Sequence, residues 1–479
     1  MDRTPLDALA HFAHVTPNAI LFSDRAHVVT YAQGAAWATS ISAFLQDLEL
    51  PGTAIIALDM PVGLHVLFTL GAMAQGIPTV AFSSSMESAG MPVDLLLSST
   101  RTHHPLARTT ITLDAARLEA ISRHESRGTL AVPSDDTVVR VVLSSGTTGT
   151  PKPIAITAAM AHDRTRAALD MMHDDGAFLS LLDLASASGF HTLLACVQSG
   201  RAYINPGDAA YSLREIIHRG VTAIKASPGQ IAALVAQATA DGVRLDSLRS
   251  VYSAGGIIPP QTRRDLFRVS TATLVNVYGS TEAGRAAQRV VDDDDTEFAG
   301  LIAPGSVVEI VDEFDRPLPQ GTVGIVRYRS AVAPSAYWRP GSELGDGESL
   351  EWFYPGDLGR IESGGRLYLH GRVANHLNIG GVKIDPYAVE SQVLTVAGVR
   401  AAVGFAHAGP RGATFVLALE ADDSVDVATL SRDLQSTWGT QAPGSIFRIP
   451  AMPTTANGKE DREAVAALYA DALSRAARS

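Results

Sequence analysis

Short β-branched runs alternate with alanine- and leucine-rich stretches along most of this chain, and that alternation restricts the possible folds more than any other feature. The runs include GTAIIAL (52–58), IPTVAF (77–82), TVVRVVLSS (137–145) and TLVNVYG (273–279), while helix-forming stretches span 35–48, 159–172, 229–240 and 260–268. Such alternation predicts parallel sheets covered by helices. From about position 305 the texture becomes turn-rich, with GSVVEIVDE, GTVGIVRYRS and GGRLYLHGR, and predicts a smaller β-rich subdomain. After LHGR an α+β pattern resumes, long enough for a small domain of its own. A chain of 479 residues exceeds one ordinary core. The predicted fold class is therefore α/β: a large N-terminal region of layered sheets with a β-rich subdomain (1–370), then a small α+β C-terminal domain (371–479).

Charge and cysteine content exclude several roles. Thirty-eight basic residues against fifty acidic give a net charge of −12, which argues against a nucleic-acid partner. The single cysteine, Cys196, lies in the apolar segment HTLLACVQSG and reads as a small buried hydrophobe rather than a nucleophile. The most apolar stretch, 54–82, is broken by Asp59, Pro61, His65, Gly71, Gln75, Gly76 and Pro78, so no membrane span is expected. The N-terminal MDRTPLDALAHFAHV has no signal-peptide pattern, and a cytoplasmic location is the expectation. The acidic run DDDD (292–295) reads as a solvated loop rather than a metal site.

The segment VVLSSGTTGTPKPI (141–154) sets five hydroxyl residues and two glycines between an apolar run and Lys152. Backbone N–H groups and hydroxyls in a glycine-rich loop can wrap an anion, so phosphate is the first expectation. A P-loop is excluded by spacing, because Lys152 stands between Pro151 and Pro153 with no following hydroxyl for a metal. Four further segments come downstream: NVYGSTEAG (276–284), FYPGDLG (353–359), LHGRVANHLNIGGVKIDPYAVE (369–390) and PTTANGKEDR (453–462).

Together, in this order, the five segments resemble the adenylate-forming superfamily of acyl-CoA synthetases, aryl-acid ligases, nonribosomal peptide synthetase adenylation domains and luciferase. The likeness extends from VVTYAQ (28–33) to Lys459. It implies that a carboxylate is activated on the α-phosphate of ATP with Mg²⁺, that pyrophosphate leaves, and that a thiol then takes the acyl group. By the same likeness, Ser144, Ser145, Gly146, Thr147, Thr148, Gly149 and Lys152 grip the β- and γ-phosphates. Thr281 meets the α-phosphate and Glu282 holds Mg²⁺, a hard cation suited to carboxylate oxygen. Tyr278 and Gly279 lie at the adenine with Asn276 near its amino edge; Asp357 accepts the ribose hydroxyls, and Arg372 adds a planar cation there. Lys459 bridges carboxylate and α-phosphate during adenylation. The C-terminal domain is implied to swing between two orientations, hinged just after Arg372, with Gly380 and Gly381 lining the thiol's path.

The chain departs from that pattern at the hinge, where Ala374 replaces an Asp or Lys, and in PGD, where Pro355 replaces a threonine. Both leave the ATP-directed charges in place. Uncharged Ser186 to Ser188 stand near the position where amino-acid-activating relatives carry an aspartate, so an α-amino acid is disfavoured. The expected substrate is a small carboxylic acid, aromatic or short-chain, lined by Ser188, Phe190, Ser253, Gly255, Gly256 and Ile257. His191 reads as a helix histidine whose hydrogen bonds are satisfied, with contact to the acid as the alternative. Partners are then the acid and either a carrier protein's phosphopantetheine, as in secondary-metabolite biosynthesis, or CoA; no basic cluster marks a CoA phosphate site. A monomer or homodimer is expected. Two alternatives remain: transfer to an amine or other nucleophile, and a non-catalytic ATP-binding homologue, which the presence of Lys152, Glu282, Asp357, Arg372 and Lys459 argues against.

Overall fold

The computed structural model describes residues 3–124, 130–144, 151–170, 172, 176–330, 336–338, 348–349, 351–373, 377–379, 382–409, 412–454 and 460–476. Among them, thirteen strands form one sheet and eight a second. The middle of the larger sheet is parallel: Phe178–Ser180, Ala223–Ala226, Ser250–Ala254 and Thr273–Ser280 are successive neighbours. The second sheet pairs Ile56–Asp59 with Thr79–Ala81 and Val93–Ser98, again parallel. Helices Pro228–Ala240 and Pro260–Val269 return the chain between parallel strands of the larger sheet, as the alternation predicts. The first of them starts where local chemistry dictates. Ser227 accepts from the Gln230 amide, Gln230 reciprocates, and Pro228 takes the first turn.

Helix Ala187–Ser199 is buried on most of its surface and belongs to the core cluster shared by both sheets. A helix apolar nearly all round belongs inside, between layers. Gly189 is required at its first turn, since a Cβ there would stand 2.1 Å from the Asp183 carbonyl oxygen. The loop before the helix is tied to the second sheet by Arg140, itself 1% exposed. Arg140 donates to the Leu184 carbonyl at 2.7 Å and to Thr79 Oγ1 at 2.9 Å, and its guanidinium lies 5.4 Å from the centre of the Phe190 ring. Cys196 is wholly buried, and burial pushes its thiol up to about 12, in keeping with an apolar filler.

The β-rich stretch after 305 does form strands, but they are not detached. Ser306–Val311, Gly324–Ser330, Asp357–Glu362 and Arg366–Arg372 continue the larger sheet through Phe298–Ile302 and Gly284–Val290. This wing keeps its own apolar cluster around Val308, Val326, Tyr328 and Leu367. Sequence periodicity reveals strands but not which edge they join, because pairing is fixed by side chains distant in sequence. The acidic run 292–295 connects two strands of the sheet, with Asp294 paired to Arg263 and Arg264 and Asp293 to Arg289.

A separate three-stranded sheet, Val399–Gly409, Gly412–Ala421 and Ser445–Arg448, lies C-terminally. Its core includes Val389, Val393, Phe415, Leu417 and Leu419. Glu390 supplies the polar centre there: its carboxylate accepts from Arg462 at 2.6 and 2.9 Å and from the Gly404 amide at 2.6 Å. The Gly398 amide donates to Gln261 Oε1 at 3.2 Å, a buried link back to helix Pro260–Val269. No helix among the described residues is long and apolar enough to cross a membrane.

Candidate active site

The phosphate-loop segment begins as a strand and returns as one. Val138–Ser144 pairs antiparallel with Lys152–Thr157, so Ser144 and Lys152 face each other at the end of the hairpin. Ser144 is buried, and its hydroxyl has no hydrogen-bond partner among the described residues. An orphaned hydroxyl is costly inside a protein and marks a place where a ligand can be met. Ser145, Gly146, Thr147, Thr148 and Gly149 lie outside the described residues, as do Ala374, Asn375, Gly380, Gly381 and Lys459.

The NVYGSTEAG segment forms strand Thr273–Ser280, a three-residue turn Thr281–Ala283 and the start of strand Gly284–Val290. Gly284 takes φ +74°, a conformation that suits glycine at the end of such a turn. The Ala283 amide donates to Ser280 Oγ at 3.0 Å, and Arg164 donates to the carbonyls of Thr281 and Glu282 at 2.9 and 3.0 Å. Burial lowers the Arg164 guanidinium to about 10, with Glu282 opposing. Glu282 is itself buried and accepts from the Tyr337 hydroxyl at 3.4 Å. The Lys152 ammonium stands 5.0 Å from the centre of the Tyr337 ring. Tyr337 therefore joins two of the sequence motifs, and nothing in the sequence singled it out. Its phenol is pushed up to about 12, first by burial and then by Glu282.

On the neighbouring wing, Asp357 and Arg372 begin and end paired strands and are partners in register. Gly356, at φ +80°, makes the turn into Asp357 after the buried Pro355. Arg372 Nε donates to Asp357 Oδ1 at 3.1 Å, and the Tyr278 hydroxyl donates to Oδ2 at 2.5 Å. Burial, reinforced by the Asp357 charge, holds the Tyr278 phenol well above its usual range. Three residues from three separate motifs thus meet at one carboxylate. Asn276 Oδ1, two residues before Tyr278, is buried without a partner among the described residues. Gly279 allows the close approach of the returning strand, where a Cβ would meet the Gly284 carbonyl oxygen at 2.3 Å.

A cavity of about 290 Å³ opens beside the turn, lined among others by Gly279, Thr281, Ser188, Gly255, His191 and Lys225. Of the residues expected to touch the acid, Ser188 and Gly255 are on its wall. Phe190 instead packs in the core beneath Arg140, because helix geometry turns it away from its neighbours Ser188 and His191. Ser253 is fully buried with an orphaned hydroxyl, and Gly256 and Ile257 sit on the loop beyond Gly255, off the cavity wall. The expectation of a satisfied His191 is corrected: neither ring nitrogen has a partner among the described residues. Burial, then the charges of Arg164, Lys225 and Arg140, keep that imidazole neutral.

A sequence profile described as AMP-binding enzyme matches residues 9–338. A medium/long-chain-fatty-acid–CoA ligase of Mycobacterium tuberculosis is 25% identical over 71% of this chain and 63% of that protein. Several of the curated relatives are matched over only 63% of their own length. Among solved structures, ATP-bound MatB of Rhodopseudomonas palustris superposes with a TM-score of 0.77 at 17% identity, over 98% of this chain and 99% of that one. The amide bond synthetase McbA of Marinactinospora thermotolerans gives 0.75 at 20% identity, over 96% and 99%. At these identities the superpositions show a shared fold.

Proposed function

The chain belongs to the AMP-binding enzyme family, and from that premise we propose that it is an AMP-forming ligase: it joins a small carboxylic acid to the α-phosphate of ATP, releases pyrophosphate, and passes the acyl group to the thiol of a carrier protein or of CoA. The observation that carries this reading is the meeting of Tyr278 and Arg372 on the Asp357 carboxylate, beside the Thr281–Glu282 turn and its cavity. An ionised carboxylate is the natural acceptor for paired ribose hydroxyls. The orphaned Ser144 hydroxyl and Asn276 carbonyl oxygen are groups that phosphate and adenine would satisfy.

In this reading Lys152 and residues 144–149 hold the β- and γ-phosphates, and Thr281 orients the α-phosphate. Glu282 offers a buried hard oxygen ligand, and Mg²⁺ bound there would neutralise phosphate charge. Lys459 brings a cation between two anions that must approach each other. In this reading Lys459 belongs to the C-terminal unit, which would alternate between adenylation and transfer about a hinge just after Arg372, where the strand Arg366–Arg372 ends. A second reading, transfer to an amine, draws on two departures from the superfamily's pattern, Ala374 at the hinge and Pro355 in PGD.

The test is product identification by mass spectrometry. ATP, Mg²⁺ and a panel of aryl and short-chain acids should yield one acyl-adenylate, which CoA or a phosphopantetheinylated carrier then converts to a thioester. An adenylate consumed by amines and untouched by thiols would establish the second reading. Bound ATP with no adenylate from any acid would overturn both.

A further inference from the structure

Lys225 has no place in the ATP-directed chemistry, yet it lies on the wall of the same cavity. It interrupts an otherwise apolar strand, Ala223–Ala226, in the middle of the larger sheet, and is 6% exposed. A lysine buried this far is normally paired. Among the described residues, the Lys225 ammonium makes no hydrogen bond and no ion pair. The groups that act on its charge are the Arg285 guanidinium and the Cys196 thiol, and no carboxylate offsets it. Asp183, also on the wall, spends a carboxylate oxygen on the Ala185 amide at 2.8 Å.

Position separates Lys225 from the reacting end. It is in register with Tyr252, and Tyr252 with Val275, so Lys225 stands two strands across from the Val275 position, about 10 Å away. Thr281 lies just past the end of that last strand, on the wall of the same cavity. His191, with both ring nitrogens unpartnered, lines the same wall, and Lys225 is among the charges acting on it. Two polar side chains without partners among the described residues thus share a pocket that is large enough for a small acid and also borders the Thr281 turn.

We infer that the acid activated here carries a second anionic oxygen group, most simply a second carboxylate, which Lys225 pairs and His191 hydrogen-bonds while the first carboxylate faces Thr281. This rests on the acid-activating reading of the site and adds the substrate class to it. A cation already desolvated in the free protein can bind an anion without a further large dehydration cost on its side. An acid bearing only hydrocarbon at that end would leave the ammonium buried and unpaired, which disfavours it.

Matched acids test the assignment: succinate against butyrate, and isophthalate against benzoate. Binding is read by calorimetry with ATP present and turnover by pyrophosphate release, in the wild type, Lys225→Met and Lys225→Arg. The wild type should prefer the diacid of at least one pair. Lys225→Met should cut that preference roughly 10- to 100-fold, the scale of one charge-assisted hydrogen bond, and Lys225→Arg should restore most of it. Retained ATP affinity shows that each variant folds. Wild-type preference for both monoacids, or a preference unchanged in Lys225→Met, would overturn the inference and leave acid activation standing. Lys225-dependent diacid binding without pyrophosphate release would support the inference and contradict the activity.

Discussion

Tyr278 gives its hydroxyl hydrogen to Asp357 Oδ2 at 2.5 Å, while Arg372 takes Oδ1 at 3.1 Å, so both carboxylate oxygens are aligned by protein groups before any nucleotide arrives. The two tyrosine-strand and wing motifs are 79 residues apart in the chain. Their contact closes the sheet's parallel middle onto its antiparallel wing.

Asp357→Ala should weaken ATP binding by roughly 10- to 100-fold, since each hydrogen bond to a charged group contributes about 1.5–3 kcal/mol. Tyr278→Phe removes only the aligning donor and should cost less, under about tenfold. Calorimetric titration with ATP checks both. Equal losses in the two variants would show that Tyr278 acts on the nucleotide itself rather than through Asp357.

Lys459→Ala should leave ATP affinity within a few-fold of wild type and lower acyl-adenylate formation by about 10³-fold or more, because its partner charges converge only as the bond forms. Single-turnover assays separate the steps. Normal adenylation in the variant would remove Lys459 from the reaction.

Arg140→Met should destabilise the fold by about 2–4 kcal/mol, because the Leu184 carbonyl and Thr79 hydroxyl lose a buried donor. The loop they anchor, 181–186, leads directly into the helix that carries Ser188 and His191. Denaturant titration gives the stability change. Unaltered stability would mean that the apolar layer between the sheets holds the loop without Arg140.

Diacid binding should depend on pH through Lys225. Burial and then Arg285 hold its ammonium down to about 8, with Cys196 acting in the opposite sense and neutral His191 contributing no charge. Below about pH 8 the cation is present; above it the free protein loses the charge, so affinity for isophthalate should fall by up to about tenfold per pH unit. The stability effect has the opposite sense: the unfolded lysine binds its proton more tightly, so raising pH through this window favours the folded state. Isophthalate affinity constant up to pH 9.5 would rule out Lys225 as its partner.

The parallel architecture was legible because helix and strand periods alternate in the chain, and the residues proposed to face ATP could be singled out because they stand in short, distinctive segments. What escaped lacks either signal. Tyr337 reaches Glu282 across 55 residues and stands in no motif, so only folding reveals it. Lys225 did leave a trace, a cation within the apolar run TAIKAS, which violates the pattern of a buried strand and marks such positions for attention. Phe190 and His191 were adjacent candidates, and the helix sends one to the core and the other to the cavity. The wing's attachment to the larger sheet was hidden for the same reason as Tyr337: strand partners are set by contacts distant in sequence.

Acid-dependent pyrophosphate release tests the central claim most directly. Purified protein, ATP and Mg²⁺ are incubated with each acid of the matched set and with a wider panel of aryl, short-chain, fatty and amino acids. The prediction is release that requires one class of small acid, strongest for a member with a second anionic group and abolished in Lys459→Ala. Release that is independent of any acid, or none at all while calorimetry shows ATP bound, would contradict an acid-activating ligase.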